Sequence, residues 1–361
     1  MKSKDIAIEL FSRAGIEIGG NDPWDISIHN NDFYNRVMTW GSLGLGESYM
    51  DGWWDCKQLD EFFCRVLQTD IESQVKRNWI LLVDVLWARL FNMQSRKRAF
   101  QIGERHYDIG NDLFIKMLDK YMTYSCGYWQ NADSLDEAQQ HKLELICRKL
   151  GLQPGMKLLD IGCGWGSLAR YAAEKYRVEV VGVTVSGEQV DLARTLCRDL
   201  PVEIRLQDYR DINEKFDRIV SVGMIEHVGF KNYRTFMELT HRCLNNKGLF
   251  LLQTIGGNQS HTSVDPWINK YIFPNGMLPS IKQLGQANEG LFVMEDWHSF
   301  GADYDKTLMA WHRNFEKSWD ELKARYDERF HRMWRYYLLS CAGSFRARKN
   351  QLWQIVLSKN G

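Results

Sequence analysis

The sequence has no excess charge of either sign, with 46 Lys and Arg against 46 Asp and Glu over 361 residues. A balanced chain sets up no overall field to gather nucleic acid, so any attraction to an anionic surface must be local. The eight cysteines contain no Cys-x-x-Cys pair and no repeated spacing with histidine. That argues against a structural zinc site or a disulfide framework, and for reduced thiols in the cytoplasm. No apolar h-region opens the chain, because MKSKDIAIELFSRAGIEI alternates charged and apolar groups, unlike a signal peptide. No apolar run is long enough to span a bilayer either: the longest, WILLVDVLWARLF, is interrupted by Asp84 and Arg89. What is plentiful is aromatic, with 14 Trp, 15 Tyr and 17 Phe, a supply that suits large cores and membrane-interface contact.

The length allows one large or two modest domains. Residues 3–14 read as an amphipathic helix, with Ile6, Leu10 and Phe11 near helical spacing and Gly15 as its stop. In GSLGLGESYMDGWWD, Gly41, Gly44, Gly46 and Gly52 read as turns of a small helical domain. No Lys and Ser/Thr follow in register, so this is not a phosphate loop. Trp79, Leu82, Val83, Leu86 and Leu90 form one face of a further helix. The next stretch holds Arg89, Arg96, Lys97, Arg98 and Arg105 against the single acid Glu104, as a solvated linker or a lipid-headgroup patch would. The resulting division is a helical domain at 1–87, a basic linker at 88–106 and a catalytic domain at 107–361.

The catalytic part is organised around KLLDIGCGWGSL. Leu158, Leu159 and Ile161 surround Asp160 as in a buried parallel strand, and Gly162, Gly164 and Gly166 follow. Strand, glycine turn and helix make the first crossover of a nucleotide-type α/β sheet. Position 184, where a dinucleotide fold would carry an acid about twenty residues on, is Thr184, which weakens an NAD reading. The later runs VEVVGVTVS, VEIRLQDYRD, FDRIVSVGMIEHVG and LFLLQTIGG add four strands to a doubly wound parallel sheet. The ligand of such a sheet lies at the carboxyl ends of its strands. Asp208 or Tyr209 is placed there for an adenine, although Asp208 serves equally as a helix N-cap. The aromatic segment from His106 to Trp129, ahead of the glycine motif, is placed to close over a cofactor.

The glycine motif resembles motif I of the class I S-adenosylmethionine-dependent methyltransferases. HYDIGNDLF, MTYSCGYW, LLDIGCGWG, GMIEHVG, VDPWINKYIFPNGMLPS and FGADYDKTLMAW, with GSLGLGESYMDGWW near the start, together resemble the bacterial cyclopropane-fatty-acyl-phospholipid synthases over essentially the whole chain. The resemblance implies a Rossmann-like methyltransferase fold with a small, mainly helical N-terminal domain. It also implies methylene transfer from S-adenosylmethionine to a cis double bond of a phospholipid acyl chain, with bicarbonate as base.

Matching the motifs assigns the cofactor to Tyr124, Ser125, Asp160, Gly162, Gly164, Gly166, Thr184, Val185, Gln189, Asp208 and Tyr209. It assigns the anion to Cys126, Glu226, Tyr304 and the backbone of Ile255, and Gln253 stands where the family has a histidine. Cys341 matches a cysteine proposed as a nucleophile, yet no step of methylene transfer needs a thiolate. No metal is implied. The linker and the C-terminal FRARKNQLWQIV suit peripheral docking on the cytoplasmic face of an anionic bilayer, and the family suggests a homodimer. Two rival readings are a methyltransferase that stops before ring closure and a lipid-binding module without turnover.

Overall fold

The computed structural model describes residues 3–69 and 110–359. The expected helix after residue 74 and the basic linker lie outside these residues. In chain order the elements are α1 (Ser3–Arg13), β1 (Ile26–Ile28), α2 (Phe33–Met50), β2 (Trp54–Cys56) and α3 (Leu59–Gln68), then α4 (Asn111–Met117), α5 (Leu135–Lys149), β3 (Lys157–Ile161), α6 (Ser167–Tyr176), β4 (Glu179–Thr184), α7 (Gly187–Leu196), β5 (Val202–Leu206) and β6 (Phe216–Val222). There follow α8 (Tyr233–Cys243), β7 (Leu244–Gly257), α9 (Pro266–Tyr271), α10 (Ile281–Asn288), β8 (Val293–Ser299), α11 (Ala302–Leu322), α12 (Glu328–Arg346) and β9 (Asn350–Ser358).

Two compact units emerge, and neither is continuous in sequence. One joins residues 3–69 to Ser263–Pro274 and Tyr304–Asn350; the other takes the rest of the described chain. The sequence-based division had kept everything after residue 106 together.

In the larger unit the strand order is β5-β4-β3-β6-β7-β9-β8. β3 pairs in parallel with both β4 and β6, so the order reverses at β3. Side-chain alternation sends Leu159, Ile161, Val181 and Val183 into one core with Phe236 and Phe250. Leu158 and Val180 enter a second core with Leu143 and Ile146 of α5 and Ala169 and Ala172 of α6. Both faces of the sheet are covered, which is why its strands are apolar on both sides.

The five expected strands are present, and β8 and β9 extend the sheet as an antiparallel pair. This corrects the reading of FRARKNQLWQIV as a docking segment. Every residue from Gln351 to Leu357 is buried within β9, while Arg346 is held by Asp60, Glu61 and Asp305.

The smaller unit corrects a second expectation. Gly41, Gly44 and Gly46 lie inside α2 rather than in turns; only Gly41 breaks helical geometry, with φ +55. A Cβ on Gly46 would stand 2.3 Å from Trp267 Cδ1, so that glycine admits a buried indole. Gly343 of α12 lies against α3 in the same way, where a Cβ would be 2.5 Å from the Asp60 carbonyl oxygen. The antiparallel pair β1–β2 was not anticipated. Arg332 of α12 donates to the Trp54 carbonyl and to Asp55, each at 2.8 Å. Among the described residues no helix is long and apolar enough to cross a membrane, and no cluster of His, Cys, Asp and Glu could hold a metal ion.

Candidate active site

At the carboxyl end of β3 the chain turns through Gly162 at φ +84 and Gly164 at φ +56, conformations that favour glycine. A Cβ on Gly162 would press to 2.8 Å from Met224 Cγ, whereas one on Gly164 would meet nothing within 4 Å. Gly164 therefore borders open space. That space is a cleft of about 600 Å³, its open mouth included, walled by residues 122–125, the glycine turn, Gln189 and the end of β6.

Of the expected cofactor residues, the cleft brings together Tyr124, Ser125, Asp160, Gly162, Gly164 and Gln189. Thr184 acts one step back, its hydroxyl donating to Gln189 Oε1 at 2.8 Å. Gly166 caps α6 in the left-handed conformation. Val185, Asp208 and Tyr209 are not among the lining residues. Of the two readings of Asp208, the cap is the one seen. Its carboxylate accepts from the Arg210 backbone at 3.0 Å and from the guanidinium at 2.8 and 2.6 Å, while the Tyr209 ring meets Phe236 edge-on.

Sequence reasoning missed Lys142 and Gln139. Strand alternation places Asp160 on the Leu158 face, which α5 covers. From α5, Gln139 Nε2 donates to the Ser125 carbonyl at 2.7 Å and Lys142 Nζ donates to Ser125 Oγ at 2.9 Å. Both side chains are buried. Burial pulls the Lys142 ammonium down to about 8 and pushes the Asp160 carboxyl up to about 7, each shift opposed by the other's charge. The signal was present: Ala138, Lys142 and Ile146 follow at i, i+4 spacing on one helix face. A lysine there falls on an otherwise apolar stripe.

A second group lies past the end of β6, on the turn Ile225–His227. Glu226 is buried, and its Oε1 accepts the Ile255 N–H at 2.7 Å. Its Oε2 is buried without a hydrogen-bond partner among the described residues. Desolvation pushes this carboxyl up to about 7. Ile255, expected to offer a backbone group to an anion, spends its N–H on Glu226, and its carbonyl accepts from Thr254 Oγ1 at 2.8 Å. Gln253 is buried in β7, and its Oε1 accepts from Gln354 Nε2 of β9 at 2.9 Å.

Cys126 is fully buried, with its thiol 3.1 Å from the Gly127 carbonyl. Tyr304 and Cys341 belong to the smaller unit. There the Tyr304 ring packs at 4.6 Å from Phe345, and burial raises the Cys341 thiol to about 12. A thiol so held stays protonated and is a poor nucleophile.

Comparison with known proteins follows this geometry. A family model described as mycolic acid cyclopropane synthetase matches residues 94–355. The cyclopropane-fatty-acyl-phospholipid synthase of Escherichia coli (strain K12) is 59% identical over 354 residues, covering 98% of this chain and 93% of that protein. A tuberculostearic acid methyltransferase of Mycobacterium tuberculosis is 33% identical, covering 99% of this chain and 88% of that one. Among solved structures, mycolic acid cyclopropane synthase CmaA1 complexed with SAH and CTAB superposes with TM-score 0.67 at 35% identity, over 72% of this chain and 98% of that one.

Proposed function

Because the chain belongs to the mycolic acid cyclopropane synthetase family, we propose that it transfers a methylene group from S-adenosylmethionine to the cis double bond of an unsaturated phospholipid acyl chain, forming a cyclopropane ring. The observation that carries the reading is the cleft at the carboxyl end of β3, where the strand order reverses. It fits the cofactor: Gly164 leaves backbone open to a ligand, and the buried carboxyl of Asp160 lines the same cleft. The donor supplies an electrophilic one-carbon group. The chain's own part is to seat it on the glycine turn, with Gln189 held in place by Thr184.

Ring closure releases a proton, and Glu226 is the group fitted to manage it. Its Oε1 is anchored by Ile255, its Oε2 is unpartnered, and its carboxyl titrates near neutrality. An unpartnered buried carboxylate oxygen accepts the hydroxyl of a bicarbonate ion well. We assign the bicarbonate site to Glu226 with Cys126 and Gln253. With its Oε1 taken by Gln354, Gln253 is left its amide N–H to donate, as a histidine would.

The substrate's place in a bilayer supports peripheral attachment to the cytoplasmic face, through the basic residues Arg96, Lys97 and Arg98 and the N-terminal unit. We also assign a homodimer. The departure at Gln253 favours a second reading, methylation of the same alkene without ring closure.

Mass analysis of lipids from cells expressing the chain decides between them. Ring formation appears as a gain of CH2 with loss of the olefin, whereas a branched methyl product supports the second reading. Unchanged lipids would overturn both and leave the lipid-binding module. Turnover by Glu226→Gln in bicarbonate-free buffer at the wild-type rate would remove the anion site.

A further inference from the structure

Lys142 is the most conspicuous charge that the proposed chemistry leaves unused. It is 1% exposed, it is among the residues lining the cofactor cleft, and its Nζ donates a hydrogen bond to Ser125 Oγ at 2.9 Å. An ammonium has three N–H donors; Lys142 spends one on Ser125, while Asp119 and Asp160 offset part of its charge from nearby without bonding it, so two donors remain for an anion in the cleft. Asp160 stands in the same wall, its carboxyl pushed up by burial but drawn toward the ionised form by Lys142. Two opposite charges at one end of a cleft complement a zwitterion.

Resting on the S-adenosylmethionine reading, we propose that Lys142 is a positioning residue for the α-carboxylate of the cofactor's methionyl end. The Ser125 hydroxyl accepts from Lys142 and so has its own proton left to donate. Gln139 pins the Ser125 carbonyl at 2.7 Å and fixes the residue's backbone. The carboxylate thus meets a serine O–H turned toward it and an ammonium directly behind. The aliphatic stem of Lys142 lies in the apolar stripe of α5, so the helix that covers the sheet also delivers the charge.

Calorimetric titration with two ligands tests this. S-adenosylhomocysteine carries the amino-acid end; 5′-methylthioadenosine keeps the nucleoside and thioether but lacks it. Lys142→Met should weaken S-adenosylhomocysteine by about tenfold or more, the size of a lost charge-assisted hydrogen bond, and leave methylthioadenosine within about twofold. Lys142→Arg keeps a cation in the wall and should retain the preference for S-adenosylhomocysteine. It decides the matter if Lys142→Met fails to fold, since loss of that preference in a folded Arg variant would overturn the assignment. Equal losses for both ligands, or none, would also overturn it. Wild-type protein that binds neither ligand would instead defeat the cofactor reading on which it rests.

Discussion

A carboxyl group buried with one oxygen unpartnered holds its proton above the range of an exposed glutamate, and Glu226 does so by moving from 4.5 to about 7. The sign of the consequence is the reverse of the usual acidic residue. The folded chain binds this proton more tightly than the unfolded one, so stability is lost as pH rises from 4.5 through about 7. Glu226→Gln should escape that loss, gaining up to about 3 kcal/mol over wild type above neutrality and little below pH 5. Thermal melts of both proteins across this range give the check; parallel curves would show that Glu226 is not held protonated.

Gly164 offers a second residue-scale test. Asp tolerates a positive φ at a cost of roughly 1–2 kcal/mol, and nothing stands within 4 Å of its Cβ. Gly164→Asp should remain folded and lose S-adenosylmethionine binding, as read by calorimetry. At this scale the glycine turn, Asp160 and Glu226 were legible because their roles are local: a positive φ, a strand end, a turn. Lys142 was not, because its significance depends on the strand that α5 covers, and a helical stripe does not name its partner.

Gly343 tests how an element is seated. It brings α12 so close to α3 that a Cβ would stand 2.5 Å from the Asp60 carbonyl oxygen and 2.7 Å from Phe63 Cβ. Gly343→Ala should lower stability by about 1–3 kcal/mol through overpacking, measured by denaturant unfolding. An unchanged midpoint would show that α12 shifts freely. The five parallel strands were legible from alternation with helices and from the glycine turn. β9 was missed for a physical reason: a short apolar run behind basic residues has the same local pattern whether it inserts into a sheet or lies on a surface. The burial of Leu352–Leu357 is decided by β8 and β7, which are distant in sequence. Similarly, the glycines of α2 looked like breakers because the indole that needs Gly46, Trp267, lies more than two hundred residues on.

For the whole molecule, the balanced charge leaves any bilayer attraction to a local patch. Vesicle binding should fall with salt as the screening length drops from about 10 Å at 0.1 M to 3 Å at 1 M. Neutralising Arg96, Lys97 and Arg98 together should reduce activity on anionic vesicles far more than on detergent-solubilised lipid. Equal reductions would assign these residues a role in folding.

The discontinuity of the smaller unit also carries a consequence for synthesis. A ribosome delivers residues 3–69 about two hundred residues or more before Trp267, Arg332 and Gly343, which pack against them. Until α12 is made the rings of Trp54, Phe62 and Phe63 wait without it, and of the described elements only β9 of the larger unit follows α12. Chains arrested before α12 should be cleaved readily within residues 3–69 by a protease that spares the full-length protein, and adding a peptide of residues 328–346 should restore protection.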